Sequence, residues 1–117
     1  MRPFTKDEFE ILKAARKLIK KEENWCKEFS ALDKANRPTD WWSKDACRFC
    51  LSGALSRAAS DLEGLGLTDT AYGTSLKLRD RIKEHGANKF VSVFNDTHTH
   101  KEVIKLLNDA IKEEKNV

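Results

Sequence analysis

Long apolar segments are absent from this 117-residue chain. No run approaches the ~20 apolar residues that a membrane-spanning helix needs, so we expect no membrane association. The first eight residues turn charged at once and lack the apolar core of a signal peptide. These absences lead us to expect a cytoplasmic protein.

Cysteine is scarce, and neither positive nor negative charge is in large excess. The three cysteines are an odd number, which argues against a secreted disulfide framework and for a reducing compartment. Lys and Arg number 22 against 19 Asp and Glu, a net charge of +3 that does not by itself predict nucleic-acid binding. The length suits one domain with a core that needs no disulfide.

Helical periodicity dominates what is present. Thr5 and Glu8 form a T-x-x-E capping box, and Phe4 and Phe9 occupy the positions of a hydrophobic staple. Apolar residues then recur at steps of three and four, which predicts a first helix continuing to about Phe29.

Three more helices follow in the prediction. The second begins at Ser43 or Asp45 and runs to about Glu63, where Gly64 and Gly66 end it. The third spans 74–85 after a turn at 68–73, and the last begins at a second capping box, Thr99 with Glu102. Residues 90–94 are predicted to be a buried extended or single-turn segment.

The fold class predicted from these elements is all-α. We expect a compact single domain over 1–117, a bundle of four to five helices with a loop at about 30–44 and a charged, frayed C-terminal tail. Small side chains on one side of the second helix, at Ala46, Cys50, Gly53 and Ala54, predict a close approach of a neighbouring segment. Gly53 costs that helix ~1 kcal/mol relative to alanine.

The loop offers candidates for binding another protein. Arg37, Trp41 and Trp42 flank a proline there, and tryptophan and arginine are enriched at binding hot spots. The alternative is that both tryptophans close the helical core from above.

Cysteine and histidine supply two further hypotheses. A tetrahedral zinc site needs four such ligands, which could come from three thiols and two histidines: Cys26, Cys47, Cys50, His98 and His100. Because Cys47 and Cys50 are predicted to lie on a helix rather than on a turn, we assign no metal and no cofactor. The Cys47 thiol is nearest the predicted helix start and can instead have a lowered pKa, with Cys50 one turn further along, His98 as base and Asp96 or Asn95 orienting it. The alternative is that Cys26 and Cys50 are small core residues.

Two polar clusters also have structural explanations. Residues 95–100 could bind an anion at a helix N-terminus, but capping accounts for all of them except the histidines. The basic face of the first helix could contact nucleic acid, but interspersed glutamates favour a solvated face; its residues are Lys13, Arg16, Lys17, Lys20 and Lys21.

Three motifs together carry a resemblance over nearly the whole chain. They are 12–19 leading to Trp25, the run Cys50-Leu51-Ser52-Gly53-Ala54-Leu55, and Phe94-Asn95-Asp96 followed by 101–104. In these the chain resembles a family of small all-helical proteins of bacteria and their phages whose function is not established. That family typically has tryptophan where this chain has Phe94, and it lacks Cys47, which weakens the zinc hypothesis. The resemblance implies that Cys50, Gly53, Asn95 and Asp96 form one neighbourhood.

The function we expect is that of a small non-enzymatic binding protein that docks on another protein. The resemblance adds a phage or mobile-element origin, with inhibition of a bacterial defence component as one specific form. The first alternative is a small-ligand or thiol-dependent hydrolytic site around Cys50, Gly53, Asn95, Asp96 and His98. The second, less favoured, is nucleic-acid binding through the first helix.

Overall fold

Helices make up most of the protein, which we describe from a computed structural model covering residues 1–63 and 68–117. The helices are α1 (Lys6–Ile19), α2 (Leu51–Glu63), α3 (Thr68–Arg79), α4 (Val91–Thr97) and α5 (His100–Lys112). Short 3₁₀ turns occupy Glu22–Asn24, Gly86–Lys89 and Glu113–Asn116. The all-α class predicted from periodicity is confirmed, with one small addition in the long connection between α1 and α2.

That addition is a three-stranded antiparallel sheet of two-residue strands. Its strands are β1 (Ala31–Leu32), β2 (Pro38–Thr39) and β3 (Arg48–Phe49), in the order β2-β1-β3. Ala31 pairs with Thr39 on one side and with Phe49 on the other. The sheet was not predicted, because strands of two residues leave no alternation to detect.

Helix α1 lies at the centre of the packing, in contact with α2, α3 and α5. Its buried face carries the expected three- and four-residue steps, with Phe9, Leu12, Ala15 and Ile19 almost fully buried. Within the described ranges 1–63 and 68–117, no helix combines the length and the apolarity that crossing a bilayer would require.

Both predicted capping boxes are confirmed. Thr5 accepts from the Glu8 amide and donates its own amide to the Glu8 carboxylate, and Thr99 and Glu102 repeat the pattern. The Phe4 and Phe9 rings lie 5.4 Å apart, as a hydrophobic staple requires.

The predicted extent of the first helix is wrong. The helix ends at Ile19 rather than near Phe29, and Lys21 is already extended with a ψ of 133°. The Ile19 carbonyl accepts a hydrogen bond from His100 Nε2 at 2.7 Å, which satisfies the end of α1. Trp25 then forms a parallel bridge with Phe49 instead of another helical turn.

The predicted start of the second helix is also wrong. Helix α2 begins at Leu51, because the residues before it are used in sheet pairing. The Cys47 amide donates to the Leu32 carbonyl and the Phe49 carbonyl accepts from the Cys26 amide. Cys47 and Cys50 therefore both precede the helix. The predicted end at Gly64 and Gly66 lies outside the described residues.

The boundaries of the third helix and of the next segment differ from the prediction as well. Residues 68–73 are helical and not a turn, and α3 ends at Arg79. Gly73 faces helix α1, where an added Cβ would lie 3.0 Å from Glu8 Oε2, so this glycine marks a close contact. Residues 90–94 enter α4, whose buried Val91, Phe94 and Asn95 recur at steps of three and one.

The C-terminal tail is attached rather than frayed. Glu113 accepts two hydrogen bonds from Arg81, whose guanidinium also lies 4.2 Å from the centre of the Phe4 ring. Glu114 forms an ion pair with Lys13 at 2.6 Å. These contacts explain why a charged segment with no apolar stripe keeps a 3₁₀ turn.

The close approach expected at the second helix is present at Gly53. A Cβ added there would overlap the backbone carbonyl of Ser30, which itself accepts a hydrogen bond from the Cys50 amide at 3.2 Å. Backbone cannot swing aside as a flexible side chain does, so only glycine fits.

We therefore expect Gly53→Ala to lower the free energy of unfolding by about 3 kcal/mol or more, because the segment before β1, which contains Ser30, must be displaced. Urea unfolding followed by circular dichroism measures the change. Gly73→Ala is the comparison variant: it also places alanine inside a helix, but its Cβ would contact the Glu8 carboxylate at 3.0 Å instead of overlapping a backbone carbonyl. Equal stability of the two variants would contradict the argument.

Candidate docking site and the buried Asn95 network

The loop after β2 presents one tryptophan to solvent and holds the other against the core. Trp42 is 57% exposed, whereas Trp41 is partly buried and packs on the hydrophobic core. Their rings meet edge to face, with centroids 5.5 Å apart and planes at 86°. The adjacent tryptophans thus have different environments, and the exposed Trp42 ring packs against the partly buried Trp41 ring.

Arg57 of helix α2 fixes the backbone of this loop. Its Nη1 donates to the carbonyls of Trp41 and Ser43, both at 3.0 Å. Its guanidinium lies 5.5 Å from the centre of the Phe49 ring, and Nε donates to Asp61 at 3.3 Å. Arg57 is not among the residues that the sequence predicted to be functional. Its spacing of four residues from Asp61 signals a helical ion pair but not the contact with the loop.

Arg37 lies in the turn between β1 and β2. The Asp33 carboxylate accepts from the Arg37 amide, from the Ala35 amide and from Arg37 Nε at 3.1 Å. The amide of Arg37, followed by that of Ala35, holds the pKa of Asp33 below its ordinary value. The Arg37 side chain remains 77% exposed, so it is available to a partner.

A groove of about 530 Å³ between α1 and α2 adjoins the loop. Arg57 connects them, since it lines the groove and binds the Trp41 carbonyl. Leu18 and Phe49 give the groove an apolar part, and the exposed Cys47 lies at it.

Asn95 is the centre of a second, buried arrangement. Its side chain is fully buried on helix α4. Oδ1 accepts from Trp25 Nε1 at 2.6 Å and from the Leu51 amide at 3.0 Å. Nδ2 donates to the Cys26 carbonyl at 3.0 Å and to Asp96 Oδ1 at 3.1 Å. The amide therefore uses all its hydrogen-bonding capacity inside the protein.

Asp96 extends this network to a strained position. Its Oδ1 accepts from the Glu28 amide at 2.9 Å, and Glu28 has a φ of +74°, in the left-handed region. A non-glycine residue there costs of order 1–3 kcal/mol, which the surrounding contacts have to offset. The Asn95–Asp96 pair thus holds residues 25–28 in place beside the start of α2.

The thiols of Cys26 and Cys50 are buried near this network. Cys50 Sγ accepts from the Gly53 amide at 3.3 Å, the bond of an N-cap side chain, and Cys26 Sγ donates to the Phe29 carbonyl. The pKa of Cys50 is not lowered, although its thiol lies directly before α2. Burial raises its pKa and outweighs the amide hydrogen bonds of Gly53 and Ser52. Burial, reinforced by the Cys50 thiol, raises the pKa of Cys26 to about 12.

The two histidines have other partners. His98 stacks on Phe94 at 3.8 Å, and its ring nitrogens lie 2.8 Å from the Phe94 carbonyl and 2.8 Å from Glu84 Oε1. His100 binds the Ile19 carbonyl and lies against the Trp25 ring. Among residues 1–63 and 68–117, no three His, Cys, Asp or Glu side chains are grouped so that they could hold a metal ion.

The basic residues of α1 are divided among several contacts. Lys13 pairs with Glu10 and Glu114, and Arg16 donates to Asn108 Oδ1 at 2.9 Å. Lys17 lines the groove beside Arg57, and Lys20 turns toward helix α5. They do not form one continuous free face.

Comparison with known proteins places the chain in a family. A model of the family of unknown function DUF6197 matches residues 5–113. The chain belongs to this family. No curated protein and no solved structure matches it. DUF6197 membership agrees with a whole-length resemblance to a family without an established function.

We expect Asn95→Ala to lower the free energy of unfolding by about 3 kcal/mol, since Trp25 Nε1, the Leu51 amide and the Cys26 carbonyl lose their buried partner. Chemical unfolding measures this. Asn88→Ala, at an exposed position, serves as the control and should change stability by less than about 0.5 kcal/mol. A small effect at Asn95 would show that the network is not needed for stability.

The thiols should differ in reactivity. At pH 8 we expect iodoacetamide to modify exposed Cys47 in the folded protein, while Cys26 and Cys50 react only after unfolding, because both are buried and uncharged. Peptide mass spectrometry after timed quenching measures each site. Modification of Cys50 as fast as Cys47 in the folded state would revive the thiol-enzyme hypothesis.

Proposed function

We propose that this DUF6197 protein is a small non-enzymatic binding protein that docks on another protein through the loop carrying Trp42. The observation that carries the proposal is a large apolar side chain exposed on a backbone that is already fixed. A side chain presented in this way loses little conformational freedom on binding, so more of its contact energy becomes affinity.

Residue chemistry supports the same conclusion. Tryptophan and arginine dominate binding hot spots, and Trp42 and Arg37 are the exposed examples near β2. The groove beside Arg57 adds an adjacent concave surface of about 530 Å³ into which a partner side chain can fit. Together they provide both a projecting anchor and a neighbouring recess.

The alternative site around Cys50, Asn95, Asp96 and His98 has less support. The Asn95 amide is fully used within the protein, and the Cys50 thiol is buried with a raised pKa. His98 has a backbone carbonyl and Glu84 as its ring partners. No described contact joins a reactive nucleophile to a base.

The resemblance to proteins of bacteria and their phages suggests a setting. We propose that the chain acts in the bacterial cytoplasm, as the product of a phage or mobile element, on a bacterial protein. A component of a defence system is the specific form of partner that we would test first.

The decisive comparison is between Trp42→Ala and Tyr72→Ala. Both remove an exposed aromatic ring, since Tyr72 is 66% exposed, and both should leave the fold unchanged. Tagged wild-type protein and the two variants are used to capture proteins from bacterial cytoplasm, with quantitative mass spectrometry. We expect a partner that wild type and Tyr72→Ala retain and that Trp42→Ala binds about thirtyfold more weakly.

Trp41→Ala is not a suitable test, because Trp41 packs on the core and its loss would change stability. The proposal fails if Trp42→Ala, with an unchanged melting temperature, retains every captured protein as wild type does.

A further inference from the structure

Helix α5 borders a second concave surface, which we call the lysine groove. It has a volume of about 510 Å³ and lies between the end of α1 and the outer side of α5. The residues that matter for its chemistry are Lys20, Lys101, Ile104, Lys105, Asp109 and Lys112. It shares no lining residue with the groove beside Arg57.

The lining of the lysine groove is strongly basic. Four lysines and one carboxylate line the groove, while the complete sequence has a net charge of +3. The rest of the chain is therefore balanced. Asp109 pairs with Lys105 at 2.7 Å, and across the described residues no carboxylate lies within ion-pair distance of Lys20, Lys101 or Lys112.

The groove is also partly apolar. Ile104 is half-buried and packs against the hydrophobic core at the base of the lysine side chains. Lining residues extend from the first turn of α5 to its last residue, about 18 Å at the helical rise. A second depression of about 480 Å³ continues the surface past Lys112 and is lined by Arg16, Glu114 and Lys115.

From this arrangement we propose that the lysine groove binds an acidic, amphipathic segment of a protein partner. Carboxylates of the segment would meet Lys20, Lys101 and Lys112, and an apolar side chain would contact Ile104. A single helix laid along such a groove satisfies both requirements at once.

Nucleic acid fits this surface less well. Single strands are usually bound by stacking bases on exposed aromatic rings, and the one ring that lines the groove, His100, is occupied by Trp25 and the Ile19 carbonyl. Arginine, which binds phosphate in a fork geometry, is also poorly available, because Arg16 is already bound to Asn108.

The probe is a fluorescein-labelled helical peptide of glutamate with leucine at every third or fourth position, titrated by fluorescence anisotropy at low salt. We expect the combined variant Lys20→Ala, Lys101→Ala and Lys112→Ala to bind it about tenfold more weakly. Lys6→Ala, Lys34→Ala and Lys44→Ala together remove the same charge from exposed positions elsewhere. That control should change affinity by about twofold or less.

Two further comparisons define the chemistry. The same peptide with glutamine in place of glutamate should bind weakly, and the acidic peptide with alanine in place of leucine should bind about threefold more weakly, because it loses the apolar contact with Ile104. Single-stranded DNA that binds more tightly than the peptide, and loses affinity in the groove variant, would overturn the proposal. No peptide binding, or equal losses in the two triple variants, would also overturn it.

The lysine groove and the Trp42 loop are tested separately. Trp42→Ala should bind the acidic peptide as wild type does, because the two surfaces share no residue. Failure of the Trp42 capture experiment therefore leaves the lysine groove standing, and failure of the peptide titration leaves the Trp42 proposal standing.

Discussion

A buried amide is the interaction on which the rest of this structure depends. Asn95 joins three segments that are far apart in sequence: residues 25–26, the first turn of α2 and helix α4. A buried polar group stabilises a fold only when all its partners are present, and here every one is present. The network therefore stabilises the one arrangement that brings all three segments together. A partial arrangement would leave buried polar groups without hydrogen-bond partners.

That arrangement has a consequence at the surface. Once residues 25–28 lie beside the start of α2, the chain that follows must pass over Gly53, and its Ser30 carbonyl lies where a Cβ would otherwise be. β1 then pairs with β2 and β3, and the connection from β2 to β3 carries both tryptophans. Arg57 completes the path by binding the loop carbonyls, so the exposed Trp42 is positioned by contacts that begin in the core.

The two concave surfaces have different chemistry. The groove beside Arg57 combines apolar side chains with charges of both signs and a neighbouring tryptophan. The lysine groove has charge predominantly of one sign around a smaller apolar base. By contrast, the Cys50 thiol, a candidate nucleophile in the sequence, contributes to packing, because burial disfavours its thiolate by more than the amides of Gly53 and Ser52 stabilise it.

Local patterns determined the helical class, both capping boxes, the staple and the buried face of α1, because these depend on residues within one or two turns of each other. Sequence also brought out Gly53, Asn95 and Asp96, through a glycine inside a helix and a resemblance. Tertiary structure alone decided where α1 ends and α2 begins, the small sheet and the role of Arg57. Each of these features depends on contacts between residues that are distant in sequence, such as Asn95 and Cys26, 69 residues apart. No local sequence pattern indicates such a contact.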